Sequence, residues 1–185
     1  AHAAHDLNDY NFILVQLPEK SNSNSNAYRL GYENITDVTR ARLRKAGCSF
    51  KCLKLSDSNI RPWDADFDNL ESVLREATES IKADRSNEDV LYEILLKYGI
   101  ELTVPIETEV INGKKVFVVG AGALIVCLDD EITSEVVEGI ANLKDELDTE
   151  TTQVVFKDAG FADSNVKTNA IQILKQAGID DVKSI

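Results

Sequence analysis

The chain has 185 residues, 43% of them hydrophobic, and carries 20 Lys/Arg against 32 Asp/Glu for a formal net charge of −12. That length and apolar content suffice for one ordinary domain or two small ones with a buried core, and exclude a disordered tail. No apolar run reaches the about 18 residues that suggest a membrane span, and no charged-then-apolar leader with a small-residue cleavage site is visible, so neither a span nor a signal peptide is expected.

The charge is unevenly distributed. Residues 1–63 hold nine Lys/Arg against six Asp/Glu, a net +3, which leaves −15 for residues 64–185. An acidic surface repels phosphate, so any polyanion contact is expected in the first part. The three cysteines, Cys48, Cys52 and Cys127, are an odd number, and the spacing of the first pair fits neither a redox C-x-x-C nor a usual zinc knuckle. They read as reduced and structural, which points to the cytoplasm. Methionine is absent throughout, position 1 included, and the simplest expectation is a fragment of a longer protein.

Taken in order, AHAAHDL ends a helix-like stretch and NFILVQL reads as a buried strand running into a proline turn at Pro18. KSNSNSN is a polar loop with no capacity to pack. ITDVTRARLRKAG predicts a helix over 35–47, with Asn34 or Thr36 as cap, Ile35, Val38, Leu43 and Ala46 as an apolar stripe, and Gly47 as stop. SFKCLKLSDSNI alternates apolar residues with lysines, as a half-wet strand does. Strand, helix, strand is the repeating unit of a parallel sheet.

After RPWDAD the pattern turns helical. FDNLESVLREATESIKADR spaces Phe67, Leu70, Val73, Leu74, Ala77 and Ile81 along one helical face, and SNEDVLYEILLKYG opens on a capping box, Ser86 with Asp89, and ends at Gly99. Beyond Pro105, IETEVI and KKVFVVG flank Asn112-Gly113, a hairpin signal suited to a type I′ turn. GALIVCL, SEVVEGIANLKDEL, TQVVFKD, SNVKTNAIQILKQAG and VKSI then predict strand, helix, strand, helix and strand, so the last part reads β-β-β-α-β-α-β.

Few residue clusters point to chemistry. His2 and His5 share a helical face, but no third ligand is near. Gly120-Ala121-Gly122 resembles part of a dinucleotide loop, yet a strand follows it where phosphate would need a helix N-terminus, so a hairpin turn is expected. Asp129-Asp130-Glu131 ahead of Ile132-Thr133 reads as a solvated acidic cap meeting the positive end of a helix. Arg40, Arg42, Arg44 and Lys45 scatter around a helix and read first as its solvated face, with phosphate contact as the alternative. Lys157 to Ala170 reads as a loop with an N-cap.

FILVQLPE, GYENITDVTRARLRKAG, FKCLKLSDSNIRPWD, LYEILLKYGIELTVPIE, GAGALIVCLDD, VVFKDAGFADSNVKTNAIQILKQ and the terminal VKSI occur in this order. Together they resemble the last third of the modification (Mod) subunit of type III restriction-modification systems, adenine-specific DNA methyltransferases that use S-adenosyl-L-methionine. The resemblance covers nearly the entire chain. It implies an α/β fold made of a remnant of a Rossmann-like methyltransferase sheet (residues 1–63), a helical connector (64–104) and a small acidic C-terminal α/β module (105–185).

In that family a Phe-x-Gly-x-Gly turn holding the methionine part of the cofactor precedes a helix, and AHAA resembles the start of that helix. FILVQ is then the second strand of the sheet, whose terminal acid takes the cofactor ribose hydroxyls, because two acceptor oxygens receive both O–H donors. Gln16 stands at that position here, with Glu19 just past Pro18. The resemblance thus implies cofactor contacts at His2, Gln16 and Glu19. Neither the Phe-x-Gly-x-Gly turn nor an Asp-Pro-Pro-Tyr tetrapeptide occurs, the prolines being Pro18, Pro62 and Pro105. The chain alone is therefore expected to be inactive, with no catalytic or metal-binding residue of its own. The parent enzyme would methylate N6 of a flipped adenine in DNA, form a homodimer with a second Mod subunit, and bind the restriction (Res) subunit. The alternative is a stand-alone, non-enzymatic interaction module.

Overall fold

Asn112 and Gly113 both take positive φ, 47° and 80°, the backbone that a two-residue type I′ hairpin requires. In this computed structural model, which describes residues 12–61 and 80–185, that turn joins β1 (Ile106–Ile111) to β2 (Lys114–Val119). The pairing is antiparallel, with Ile111 opposite Lys114 and Ile106 opposite Val119. β3 (Leu124–Cys127) runs antiparallel to β2, while β4 (Gln153–Phe156) and β5 (Asp181–Ser184) extend the sheet in parallel. Strand order is β1-β2-β3-β4-β5.

The helices described are α1 (Asn26–Arg29), α2 (Ile35–Lys45), α3 (Asn87–Lys97), α4 (Ser134–Leu147) and α5 (Ser164–Gln176). The chain is α/β, and it divides into two compact units, Ala1–Ser56 and Asp57–Ile185.

In the second unit, strand alternation decides which residues meet which helices. Val116, Ile125, Cys127, Val154 and Phe156 share one face, covered by Val136, Val137 and Ile140 of α4 and by Ala170 and Leu174 of α5. Phe117, Val119, Leu124, Val126 and Val155 share the other, covered by Val90, Leu91, Ile94 and Leu95 of α3. Because both faces are covered, β2, β3 and β4 read as nearly continuous apolar runs. The β-β-β-α-β-α-β order expected from the sequence is the order found, and the Gly120-Ala121-Gly122 stretch is the expected turn between β2 and β3, its φ values all positive at 60°, 54° and 101°.

The chain enters this unit through a clip. Ile60 and Ile81 form an antiparallel bridge, Arg61 N–H donates to the Ser80 carbonyl at 2.8 Å, and Lys82 N–H donates to the Asn59 carbonyl at 2.9 Å. Ile81, expected on a helical stripe, is instead extended, because its neighbours hydrogen-bond across to residues 59–61. Residues 82–85, expected in the same helix, form a turn instead, and residues 67–79 of that helix lie outside the described residues, as do AHAA, His2 and His5.

The first unit has no paired strand among its described residues. The segments expected as strands, NFILVQL and SFKCLKLSDSNI, form no ladder among the described residues of this unit, whose described pairing is a single bridge between Lys20 and Asn34. A strand is completed by its neighbour's hydrogen bonds, and α1 and α2 supply none. Ile13, Val15 and Leu17 are 82%, 92% and 71% exposed, and Leu55 is 97% exposed. No residue of α2 is fully buried.

Candidate functional site

Two of the residues expected to contact a cofactor, Gln16 and Glu19, lie on or just past that open stretch of the first unit. The Gln16 side-chain amide donates to the Leu17 carbonyl at 3.2 Å. Past Pro18, Glu19 N–H donates to the Leu17 carbonyl at 2.9 Å, and the Glu19 carbonyl accepts from Ile35 N–H at 3.0 Å. Glu19 is thereby tied to the first turn of α2, while residues 12–17 are not. The structure brings Gln16 and Glu19 onto one short exposed segment with their side chains unburied. His2 lies outside the described residues.

α2 starts where the sequence indicates. The Asn34 side chain accepts from Asp37 N–H, and the Asp37 carboxylate accepts from Asn34 N–H, a complete capping box. Asp37 also pairs with Arg40, and the hydrogen bond from that guanidinium holds its carboxyl below the usual range. Arg42, Arg44 and Lys45 are exposed in the last turn, where basic charge meets the negative end of the helix dipole.

In the second unit, polar groups gather at the carboxyl ends of β3, β4 and β5, together with the first residues of α3, α4 and α5. In parallel α/β sheets this edge is where ligands bind. Asp129 follows β3 and accepts from the Lys115 N–H at 2.6 Å and from the Asn87 side-chain amide at 3.0 Å, tying β3 to β2 and to the start of α3. Asp130 pairs with Lys157 at 2.6 Å, and Glu131 with Lys114 at 3.7 Å. Asp158 pairs with Lys167, whose hydrogen bond, with a second from Ser184, lowers its pKa. Ile132 N–H donates to the Gly160 carbonyl at 2.7 Å, and Ala162 N–H donates to the Ile132 carbonyl at 3.0 Å.

This arrangement revises the reading of Asp129-Asp130-Glu131 as a helix cap. Thr133 is the N-cap of α4, and the three acids reach sideways to β2, α3 and Lys157. At α5 the expectation holds: Asp163 accepts from Asn165 N–H at 2.7 Å and Val166 N–H at 2.9 Å. The structure also reveals Asn59 and Glu93, which the sequence pattern did not single out. The Glu93 carboxylate accepts from the Ser58 hydroxyl and Asn59 N–H, both at 2.6 Å, and from Lys97 at 2.9 Å. An acid on the polar side of an amphipathic helix gives no local sign of such partners.

A cleft of about 50 Å³ opens beside this edge, lined by Phe156, Phe161, Lys167, Ile171, Val182 and Ser184 among others. It has room for one or two waters, far short of the roughly 300 Å³ at which ligand pockets begin. Among the described residues, no three His, Cys, Asp or Glu side chains converge as metal ligands. Cys127 is buried and its thiol is pushed up to about 11 by that burial, so little of it is thiolate at neutral pH. The three cysteines are free. The carboxyl edge, with its acids matched to lysines or amides, is suited to holding loops in place. No protein-family model matches the chain, and no curated protein matches it at a significant level. Among the described residues, no helix is long and apolar enough to cross a membrane.

Proposed function

We propose that the chain is the C-terminal part of a Mod-type DNA adenine methyltransferase. In this reading residues 1–63 complete the cofactor-binding sheet, residues 64–104 connect, and residues 105–185 form an acidic assembly module. The observation that carries the reading is the apolar segment Phe12–Leu17, which has no strand partner among the described residues and leaves Ile13 and Val15 82% and 92% exposed. Apolar surface gains about 25 cal/mol per Å² on leaving water, so a run of this kind is stable beside a neighbouring strand. The first strand of a cofactor-binding sheet would be that neighbour.

Gln16 would then accept from a ribose hydroxyl through its amide oxygen, Glu19 would offer the charged acceptor, and His2 would lie in the helix after the Gly-rich turn. S-adenosyl-L-methionine supplies the methyl group when bound, and adenine N6 receives it. The catalytic groups lie outside these residues, so the chain by itself is inactive. DNA, a second Mod subunit and the Res subunit are the partners of the parent protein, in the cytoplasm. The net −15 of residues 64–185 favours protein partners over DNA for that part.

Titration of S-adenosyl-L-methionine into a chain extended by the reading frame ahead of Ala1 tests this. Saturable binding, weakened by Gln16→Ala, supports the methyltransferase. Absence of binding favours the second reading, a stand-alone interaction module. The matched charges at the carboxyl edge and the small volume of the cleft beside it support that alternative.

A further inference from the structure

We infer that the free edge of β1 is a docking site for an extended peptide in which basic side chains alternate with apolar ones. The inference concerns residues 106–111 alone and does not depend on a cofactor site in the first unit.

The geometry begins at the hairpin. In a two-residue type I′ turn the flanking pair, Ile111 and Lys114, exchanges both main-chain hydrogen bonds, so the register makes Glu109 with Val116 and Glu107 with Val118 the next bonded pairs. Gly120 N–H donates to the Pro105 carbonyl at 3.1 Å, which continues the same phase. The N–H and C=O groups of Ile106, Thr108 and Val110 therefore point away from β2. β1 is the first strand in the sheet order and, among the described residues, pairs with β2 alone, so within them these groups form an open hydrogen-bonding row.

The side chains sort by face. Ile111 packs with the core under α4 and α5, whereas Ile106 packs with the core under α3. Alternation puts Glu107 and Glu109 on the α4 side and Thr108 and Val110 on the α3 side. Both glutamates are exposed, and among the described residues neither takes part in an ion pair. Val110 is 70% exposed.

An added strand would place one set of alternate side chains beside the two carboxylates and the other beside Ile106 and Val110. Lysine or arginine fits the first set and valine or another apolar residue fits the second, because cross-strand neighbours are stabilised by opposite charge and by apolar contact. The same carboxylates repel a second β1 edge, which disfavours pairing of two copies through this strand. Charge complementarity thus selects a basic strand from a different protein.

The test is titration of the full chain with a short capped peptide of alternating lysine and valine, beside a counterpart of alternating glutamate and valine. Saturable, salt-sensitive binding of the lysine peptide alone is expected, with hydrogen-exchange protection gained at the Thr108 and Val110 amides. The double variant Glu107→Lys, Glu109→Lys should weaken the lysine peptide by about tenfold and admit the glutamate peptide. Val110→Pro removes an outward N–H without touching the β1–β2 ladder and should abolish binding of the lysine peptide, with the melting curve checked in parallel. Absence of saturable binding, equal binding of both peptides, protection elsewhere on the sheet, or no exchange of preference in the lysine variant would each overturn the assignment. If Val110→Pro fails to fold, the charge reversal decides.

Discussion

Glu93 and Asn59 are joined across 34 residues of chain: Asn59 N–H donates to the Glu93 carboxylate at 2.6 Å, while the Asn59 amide donates to the Asp89 carbonyl at 2.9 Å. Burial opposes ionisation of Glu93, but hydrogen bonds from the Ser58 hydroxyl, Lys97 and Asn59 N–H outweigh it and hold the carboxyl at about 2. A carboxyl whose folded pKa lies below its ordinary 4.5 adds stability that is fully present above pH 4.5 and is lost as pH falls through 2. Urea melts across that window should show the loss. Glu93→Gln keeps an acceptor oxygen without the charge, and should cost about 1–2 kcal/mol at pH 7 and flatten the acid limb. A wild-type acid limb in the variant would remove Glu93 from this role.

Gly139 gives a prediction whose sign depends on its neighbour. A Cβ built there stands 2.3 Å from Ile111 Cγ2, closer than any relaxed contact. Alanine is the better helix former by about 1 kcal/mol, yet forcing a methyl into that gap costs about 1–3 kcal/mol. Gly139→Ala should therefore destabilise the second unit. In an Ile111→Ala background, where the clashing methyl is gone, the same change should stabilise. Thermal melts of the four proteins form a double-mutant cycle, and equal effects of Gly139→Ala in both backgrounds would contradict the contact.

The second unit was legible because its signals are local. Asn112-Gly113 between alternating runs specifies a hairpin, Ser86 with Asp89 specifies the start of α3, and the spacing of Val136, Val137, Ile140 and Ala141 marks the buried face of α4. The first unit was less legible because apolarity reports a tendency to leave water without naming the partner. Phe12–Leu17 has strand composition and no ladder, and composition alone could not separate those two states. Asp129 shows the same limit at a single residue. Acids ahead of a helix suggest a cap, but Asp129 takes its hydrogen bond from Asn87 across 42 residues, a pairing created by the sheet. The expected cofactor residues Gln16 and Glu19 fall on one exposed segment, and what would complete a pocket around them is not readable from their neighbours in sequence.

Thiol chemistry should separate the three cysteines. Cys52 is exposed, Cys48 is half-buried, and Cys127 is buried between β2, β4 and the helices with its pKa raised by burial. Since the thiolate is the reacting form, an alkylating reagent at neutral pH should modify Cys52 first and Cys48 more slowly. Cys127 should react only on opening of the second unit. Mass mapping of peptides after a timed pulse, with and without urea, reads this order directly. Early modification of Cys127 in the native protein would mean that the core around β3 is more open than described.

Gly160 is the residue on which the carboxyl edge closes. Its backbone passes so near the end of β3 that an added Cβ would lie 2.4 Å from the Asp129 carbonyl oxygen, with Lys157 Cβ at 3.2 Å and Ile132 Cδ1 at 3.3 Å behind it. The first of these atoms is main chain and cannot swing aside as a flexible side chain can. Either the turn Asp158–Gly160 moves outward, breaking the hydrogen bond from Ile132 N–H to the Gly160 carbonyl, or β3 shifts and disturbs the contacts of Asp129 with Lys115 and Asn87. Gly160→Ala should thus cost at least about 2 kcal/mol, by overpacking and by loss of buried main-chain pairing. Exchange of the Ile132 and Lys115 amides should quicken together, because Gly160 and Asp129 link the two loops. Unchanged stability in the variant, or quickened exchange at only one of these amides, would show that the loops at this edge are held independently of each other.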